Sequence, residues 1–119
     1  MSRRAPNELS APRLLRHHAP IFAALGDPTR LTLVARLCEG TPRSISQLAQ
    51  GTKITRQAIA KHLRVLENAG LVRGESIGRQ CVFELEPETL DEAKDYLDRI
   101  AQQWDAALAR LKTFVEKGR

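Results

Sequence analysis

The sequence predicts a mainly α protein with one small β-hairpin, and three observations carry that reading. An amphipathic helix over about residues 55–69 runs directly into two short β-prone stretches over about 71–86. Two helix starts with capping chemistry precede it, at Asp27-Pro28 and at Ser44-x-x-Gln47. A long amphipathic segment, about 88–117, follows it. Two helices joined by a short turn and then a hairpin make a winged helix-turn-helix, here with a long C-terminal helix patterned for dimerisation.

Taken in chain order, residues 1–18 read as a basic N-terminal arm, with Arg3, Arg4, Arg13, Arg16, His17 and His18, helical from about Pro12. Residues 19–117 form the winged helix-turn-helix domain, the C-terminal helix included. An apolar segment, Ala19-Pro20-Ile21-Phe22-Ala23-Ala24-Leu25, ends at Gly26. Asp27 is placed as an N-cap and Pro28 at the first helical position, where its missing N–H costs nothing. Leu31, Val34, Leu37 and Cys38 mark the apolar face of that helix, which Glu39-Gly40 closes; Thr41-Pro42-Arg43 is a connection. The pair Ser44 and Gln47 has capping-box spacing, and Ile45, Leu48 and Ala49 face inward.

Gly51-Thr52-Lys53 turns the chain into the next helix, capped by Thr55, with Ile54 and Ile59 spaced as a hydrophobic staple. Ile59, Leu63 and Leu66 point at a core, while Gln57, Lys61 and Arg64 share another face at i, i+4, i+7. Gly70 is the expected left-handed residue past the helix end. Leu71-Val72-Arg73 and Cys81-Val82-Phe83-Glu84-Leu85 are the hairpin strands around Ile77-Gly78-Arg79, with Cys81, Phe83 and Leu85 on the inward face.

After Pro87 a seven-residue repeat sets in. Leu90, Leu97, Trp104 and Leu111 recur on it, and Ala93, Ile100, Ala107 and Phe114 recur three places on. That is an a/d seam for pairing with another helix. A chain of 119 residues has no second long helix to offer, so the seam implies a homodimer, with Leu90, Leu97, Ile100, Trp104, Leu108 and Leu111 as its contacts. The alternative is that the helix folds back onto its own domain.

Charge narrows the partner. Residues 40–80 hold seven basic groups (Arg43, Lys53, Arg56, Lys61, Arg64, Arg73, Arg79) against Glu67 and Glu75, a balance of +5. Residues 88–119 hold six basic and seven acidic groups, a balance of −1. Positive charge concentrated on the helix and hairpin suits a polyanion such as double-stranded DNA; a solvated basic face is the bland alternative. Gln57 is the candidate base reader, because a carboxamide pairs bidentately with adenine. Arg56 and Lys61 suit guanine or phosphate, and Thr55 with the first-turn N–H groups suits a phosphate. Arg79 at the hairpin tip suits the minor groove, and Lys53, Arg64 and Arg73 suit the DNA backbone.

Other classes find less support. There is no phosphate-binding glycine loop, no nucleophile with a base in a motif context and no convergent ligand set, so neither an enzyme nor a cofactor or metal is expected. A winged-helix interaction module without nucleic acid is the competing binding class. Cys38 and Cys81 make no disulfide framework, no signal peptide is legible and no stretch is long enough to span a bilayer, so a cytoplasmic protein is expected.

The blocks Ala24-Leu25-Gly26-Asp27-Pro28-Thr29-Arg30-Leu31, Ser46-Gln47-Leu48-Ala49, Gly78-Arg79-Gln80 and above all the run Lys61-His62-Leu63-Arg64-Val65-Leu66-Glu67-Asn68-Ala69-Gly70-Leu71-Val72 resemble the ArsR/SmtB-type (arsenic-repressor) winged helix repressors. The resemblance spans about residues 19–115. It implies a symmetric dimer, a recognition helix in each of two successive major grooves of a palindromic operator, and autorepression of a nearby operon. Metal-sensing members place Cys-x-Cys ligands on the first helix of the helix-turn-helix, or Asp/His ligands on the last helix. Here Ser46-Gln47-Leu48-Ala49-Gln50 stands at the first, the last helix has neither His nor Cys, and the family's usual metal site is missing. Dithiol-sensing members place one cysteine where Cys38 stands, so a thiol-responsive repressor using Cys38, Cys81 or both is the alternative. Buried packing is the expected role of both thiols.

Overall fold

The computed structural model describes residues 11–118, with side chains from His17 onward. Five helices and three strands follow in the order α1 (Ala11–Leu25), α2 (Pro28–Leu37), β1 (Arg43–Ser44), α3 (Ile45–Ala49), α4 (Arg56–Asn68), β2 (Val72–Ile77), β3 (Gln80–Leu85) and α5 (Pro87–Lys117). The boundary expected between residues 18 and 19 falls inside α1, where His18 is buried against the ring of Tyr96 on α5, centroids 4.7 Å apart.

The caps are where the sequence puts them. Asp27 Oδ2 accepts the N–H groups of Thr29 and Arg30 at 2.9 and 3.1 Å, with Pro28 opening α2. Ser44 and Gln47 exchange both bonds of the capping box. The end of α4 is a Schellman motif: Leu71 N–H reaches Leu66 C=O and Gly70 N–H reaches Glu67 C=O, both at 2.9 Å. This needs a left-handed residue at position 70, and Gly70 has φ of +80°.

Around α4 lies the core. Leu48, Ile59, Leu63, Leu66, Leu71 and Val72 are all but inaccessible, and Leu33, Leu37, Ile21, Ala24 and Phe83 close around them. On α2 the inward residues are Leu33 and Leu37, with Val34 half-buried. The expected face is corrected at Leu31 and Cys38, both exposed. A helix this rich in aliphatics offers more than one stripe, and packing against α1 and α4 selects between them.

The hairpin belongs to a three-stranded antiparallel sheet in the order β1-β3-β2. The third strand replaces part of the connection expected at residues 41–43: Arg43 and Ser44 pair with Phe83 and Val82. A two-residue strand shows no alternation, which is why the sequence conceals it. Between β2 and β3 the turn is Gly78-Arg79, with Gly78 at φ +63°, the glycine position of a II′-type hairpin. Gly74 lies beneath Phe83, so close that a Cβ there would stand 2.9 Å from Phe83 Cε2.

Candidate nucleic-acid interface

Residues from several elements set the attitude of α4. Arg36 Nη1 donates to the carbonyls of Leu48 and Gln50 at 2.7 and 3.0 Å, satisfying the end of α3 and holding the turn. Gly51 turns the chain at φ +77°, and Thr52 accepts from Ile54 N–H while donating to Ala49 C=O. Thr55 then caps α4 by accepting Ala58 N–H at 3.1 Å. Its hydroxyl proton stays available to an anion, as do the N–H groups of Arg56 and Gln57, which lie in the unsatisfied first turn. Below α4, Glu67 accepts Gly74 N–H at 3.2 Å, tying the hairpin to the helix that precedes it.

The two faces of α4 are cleanly separated. Ile59, Leu63 and Leu66 are buried, while Arg56, Gln57, Lys61 and Arg64 are exposed, joined by Lys53 before the helix and Arg79 at the hairpin tip. Among the described residues none of the five cations in this group forms an ion pair. Arg73 differs. Its guanidinium lies 2.6 Å from Glu84 Oε2 and 3.5 Å from Glu86 Oε1, and the hydrogen bond to Glu84, with the charges of Glu86 and Glu84, raises its pKa further. A phosphate at Arg73 has to compete with two carboxylates already in place. Arg43 is likewise paired, with Glu39.

Both cysteines are exposed, which corrects the expectation of buried packing. Cys81 shares the inward-facing register of Phe83, but the core ends at Phe83 and the hairpin continues past it into solvent. Cys38 caps α2, beside a cavity that it lines with Leu37, Gly40, Glu84, Leu85, Pro87 and Leu90. Cys81 lies opposite Ser76, toward the hairpin tip, whereas this cavity adjoins the other end of β3. Four residues of strand separate positions by roughly 13 Å. Bridgeable cysteine Cα atoms lie within about 7 Å.

The first half of α5 packs on α1 through His18, Phe22 and Tyr96, and buries Ala93. From residue 101 to 118 every position is exposed. Trp104 is 66% and Leu108 62% accessible, with Leu97, Leu111, Phe114 and Val115 also open. Ala93, Leu97, Ile100, Trp104, Leu108, Leu111 and Val115 follow one another at intervals of four and three, repeating every eleven residues. An eleven-residue repeat stays on one side of a nearly straight helix, whereas a seven-residue repeat drifts about 20° per heptad. Leu108 and Val115 fall outside the seven-residue seam and complete this stripe. Among the described residues no three His, Cys, Asp or Glu converge as metal ligands, and no helix is long and apolar enough to cross a membrane.

Comparison with known proteins agrees with the architecture. A helix-turn-helix domain family matches residues 25–75. The chain is 38% identical over 87 residues to the HTH-type transcriptional regulator Rv2034 of Mycobacterium tuberculosis, an alignment covering 73% of this chain and 78% of that one. An ArsR-like transcriptional regulator from Rhodococcus sp. RHA1 superposes with a TM-score of 0.68 at 36% identity, covering 83% of this chain and 92% of the other. The solution structure of the homodimeric winged helix-turn-helix DNA-binding domain of Mb0332 from Mycobacterium bovis, a possible ArsR-family regulator, shares the fold. Its TM-score is 0.61 at 19% identity, over 91% of this chain and 94% of that domain. A winged helix-turn-helix with these relatives defines the class, and the chain belongs to the ArsR family of transcriptional regulators.

Proposed function

We propose that the protein is a homodimeric, sequence-specific DNA-binding repressor that acts on its own promoter, with α4 in the major groove and the hairpin on the minor groove or backbone. The observation that carries this is the α4 face of Gln57, Lys61 and Arg64, exposed, free of ion pairs with the described residues and opposite the buried stripe. Gln57 reads a base edge, Arg56 and Lys61 contact guanine or phosphate, and Thr55, Lys53 and Arg64 position the backbone. Arg79 enters the minor groove. Arg73, held by Glu84 and Glu86, contributes less than the unpaired cations.

A second copy covers the α5 stripe. From Leu97 to Val115 the row runs over about 27 Å of helix, and an apolar surface of that extent on a small protein marks an interaction site. Two straight α5 helices side by side bury Trp104, Leu108 and Leu111 and hold two α4 helices in register with a palindrome. The Mycobacterium bovis domain of the same fold is homodimeric, which supports this assembly by analogy.

Gel retardation of the gene's own upstream fragment tests the proposal. Specific binding has to weaken steeply with salt, losing about one unit of logarithmic slope for each phosphate-contacting Lys or Arg removed. Binding equal to that of random duplex defeats it. Exposure of both thiols favours one elaboration, oxidant-driven release from DNA, since access governs cysteine oxidation. Release that dithiothreitol reverses supports it, and an unchanged response in a Cys38→Ser/Cys81→Ser variant removes it.

A further inference from the structure

Arg30 sits in the first turn of α2, and its guanidinium joins two other helices. Nε donates to Ala24 C=O and Nη2 to Ala23 C=O at 3.4 Å, both carbonyls in the last turn of α1. On its other side Nη1 lies 3.4 Å from His62 Nδ1 on α4. For that contact to be a hydrogen bond the imidazole nitrogen accepts, so its proton sits on Nε2. Asp27 Oδ2, which caps α2, stands 3.9 Å from the same nitrogen.

Outside the buried contacts of Ile21 and Ala24, the outer edges of α1 and α4 are not packed together. Pro20, Ala23 and Ala24 face Val65, Asn68 and Ala69 across an open surface groove of about 310 Å³. Across that open groove the side chains do not interlock, so on this flank packing does not fix the crossing angle. A planar fork with fixed donor directions supplies what is missing. His62 lies on the flank of α4 between its buried stripe and its exposed face.

We infer that Arg30 is a positioning residue, acting through His62 to fix the angle of the recognition helix against α1, on which α5 packs, and thereby the spacing between the two reading helices of the dimer. This rests on the dimeric DNA-binding reading above. It assigns Arg30 and His62 no contact with DNA.

The probe is a palindromic duplex selected by the native protein from a randomised pool, resynthesised with its half-sites one or two base pairs nearer or farther apart. The native dimer should prefer its own spacing by about tenfold or more, a difference of about 1.4 kcal/mol. Arg30→Met and His62→Leu should keep the dimer mass and the low-salt affinity for random duplex, while the preference falls to about threefold or less or moves to another spacing. Asn can present an oxygen close to the position of Nδ1, so His62→Asn should restore the native preference. Arg30→Lys should not, because one ammonium cannot reach both α1 carbonyls and the imidazole. If Arg30→Met does not fold, the His62→Leu and His62→Asn pair decides. An unchanged optimum and ratio in folded His62→Leu overturns the inference and leaves the dimeric reader standing. No spacing preference in the native protein overturns that reading instead, and this inference with it.

Discussion

Leu63 on α4 and Leu108 on α5 occupy the same kind of place in the sequence, an apolar residue recurring at helical spacing, yet one is 1% exposed and the other 62%. Their helices differ in what surrounds them. Helix α4 is enclosed by α1, α2, α3 and the sheet, so its stripe is satisfied within one chain. Over its first half α5 meets α1, and it then runs on with no element among the described residues beside it. Periodicity reports which face is apolar. What covers that face depends on how far the chain's other elements reach.

Substitution at the two leucines turns this contrast into a measurement. Leu63→Ala should cost about 2–5 kcal/mol in denaturant unfolding, because it removes a side chain from a fully packed site and leaves a cavity. On a total stability of about 5–15 kcal/mol that is a large fraction. Leu108→Ala should leave the isolated subunit's stability almost unchanged and instead lower the midpoint only in a concentration-dependent way, as mass action on a dimer requires. Equal, concentration-independent losses at both sites would mean that α5 is covered by its own chain.

Trp104→Asp is the sharper disruption of the same stripe. Burying a carboxylate in an apolar helix pair is strongly unfavourable, so light scattering should report the mass of a single subunit. Operator retardation should weaken by at least about tenfold while circular dichroism keeps its helical signature. A dimer that survives Trp104→Asp, with affinity intact, places the interface elsewhere.

Much of the body was legible because its signals are local. The Asp27 and Ser44 caps, the Gly70 terminus and the two faces of α4 each depend on residues within a few positions of one another. The features that escaped are set by partners distant in sequence. Strand β1 exists because Phe83 and Val82 come alongside Arg43 and Ser44. Choosing Leu33 over Leu31 needs the neighbours of α2, and the exposure of Cys81 needs to know where the body ends beneath the hairpin. Of the candidate interface, the exposed cations could be read from the chain, but the carboxylates that hold Arg73 lie on the facing strand and just beyond it, and the Arg30 contact with His62 spans 32 positions.

The cap of α4 offers a smaller effect that separates folding from reading. Thr55→Ala removes the hydroxyl that accepts Ala58 N–H and should cost about 1 kcal/mol of stability. On the proposed interface the same change removes a phosphate donor, so affinity should fall for specific and random duplex alike. Gln57→Ala should lower affinity for the operator alone, with stability within about 0.5 kcal/mol of native, as expected of an exposed position. If the two variants lost specific and random binding in the same proportion, the division between reading and positioning residues on α4 would be wrong.

The smallest expected effect concerns the start of α2, whose capping side chain is a charged carboxylate. Helix α5 begins at Glu86 without a side-chain cap, whereas α2 begins under the Asp27 carboxylate. The hydrogen bond from Arg30 N–H, then that from Thr29 N–H, with the nearby charges of Arg30 and His62, holds Asp27 below the ordinary carboxylate range against a smaller opposing effect of desolvation. A folded-state pKa lower than the unfolded one means that the native state binds fewer protons there. Its stabilisation is therefore complete above the ordinary Asp pKa and is lost as pH falls through the depressed folded value. Asp27→Asn keeps an oxygen to cap with but cannot ionise. The advantage of the native protein over this variant in melting temperature should be constant near neutrality and shrink over the acid interval below the ordinary Asp value of about 4. A difference that stayed flat across that interval would show that the cap acts through its oxygen alone, and that its charge contributes nothing to holding α2 in place.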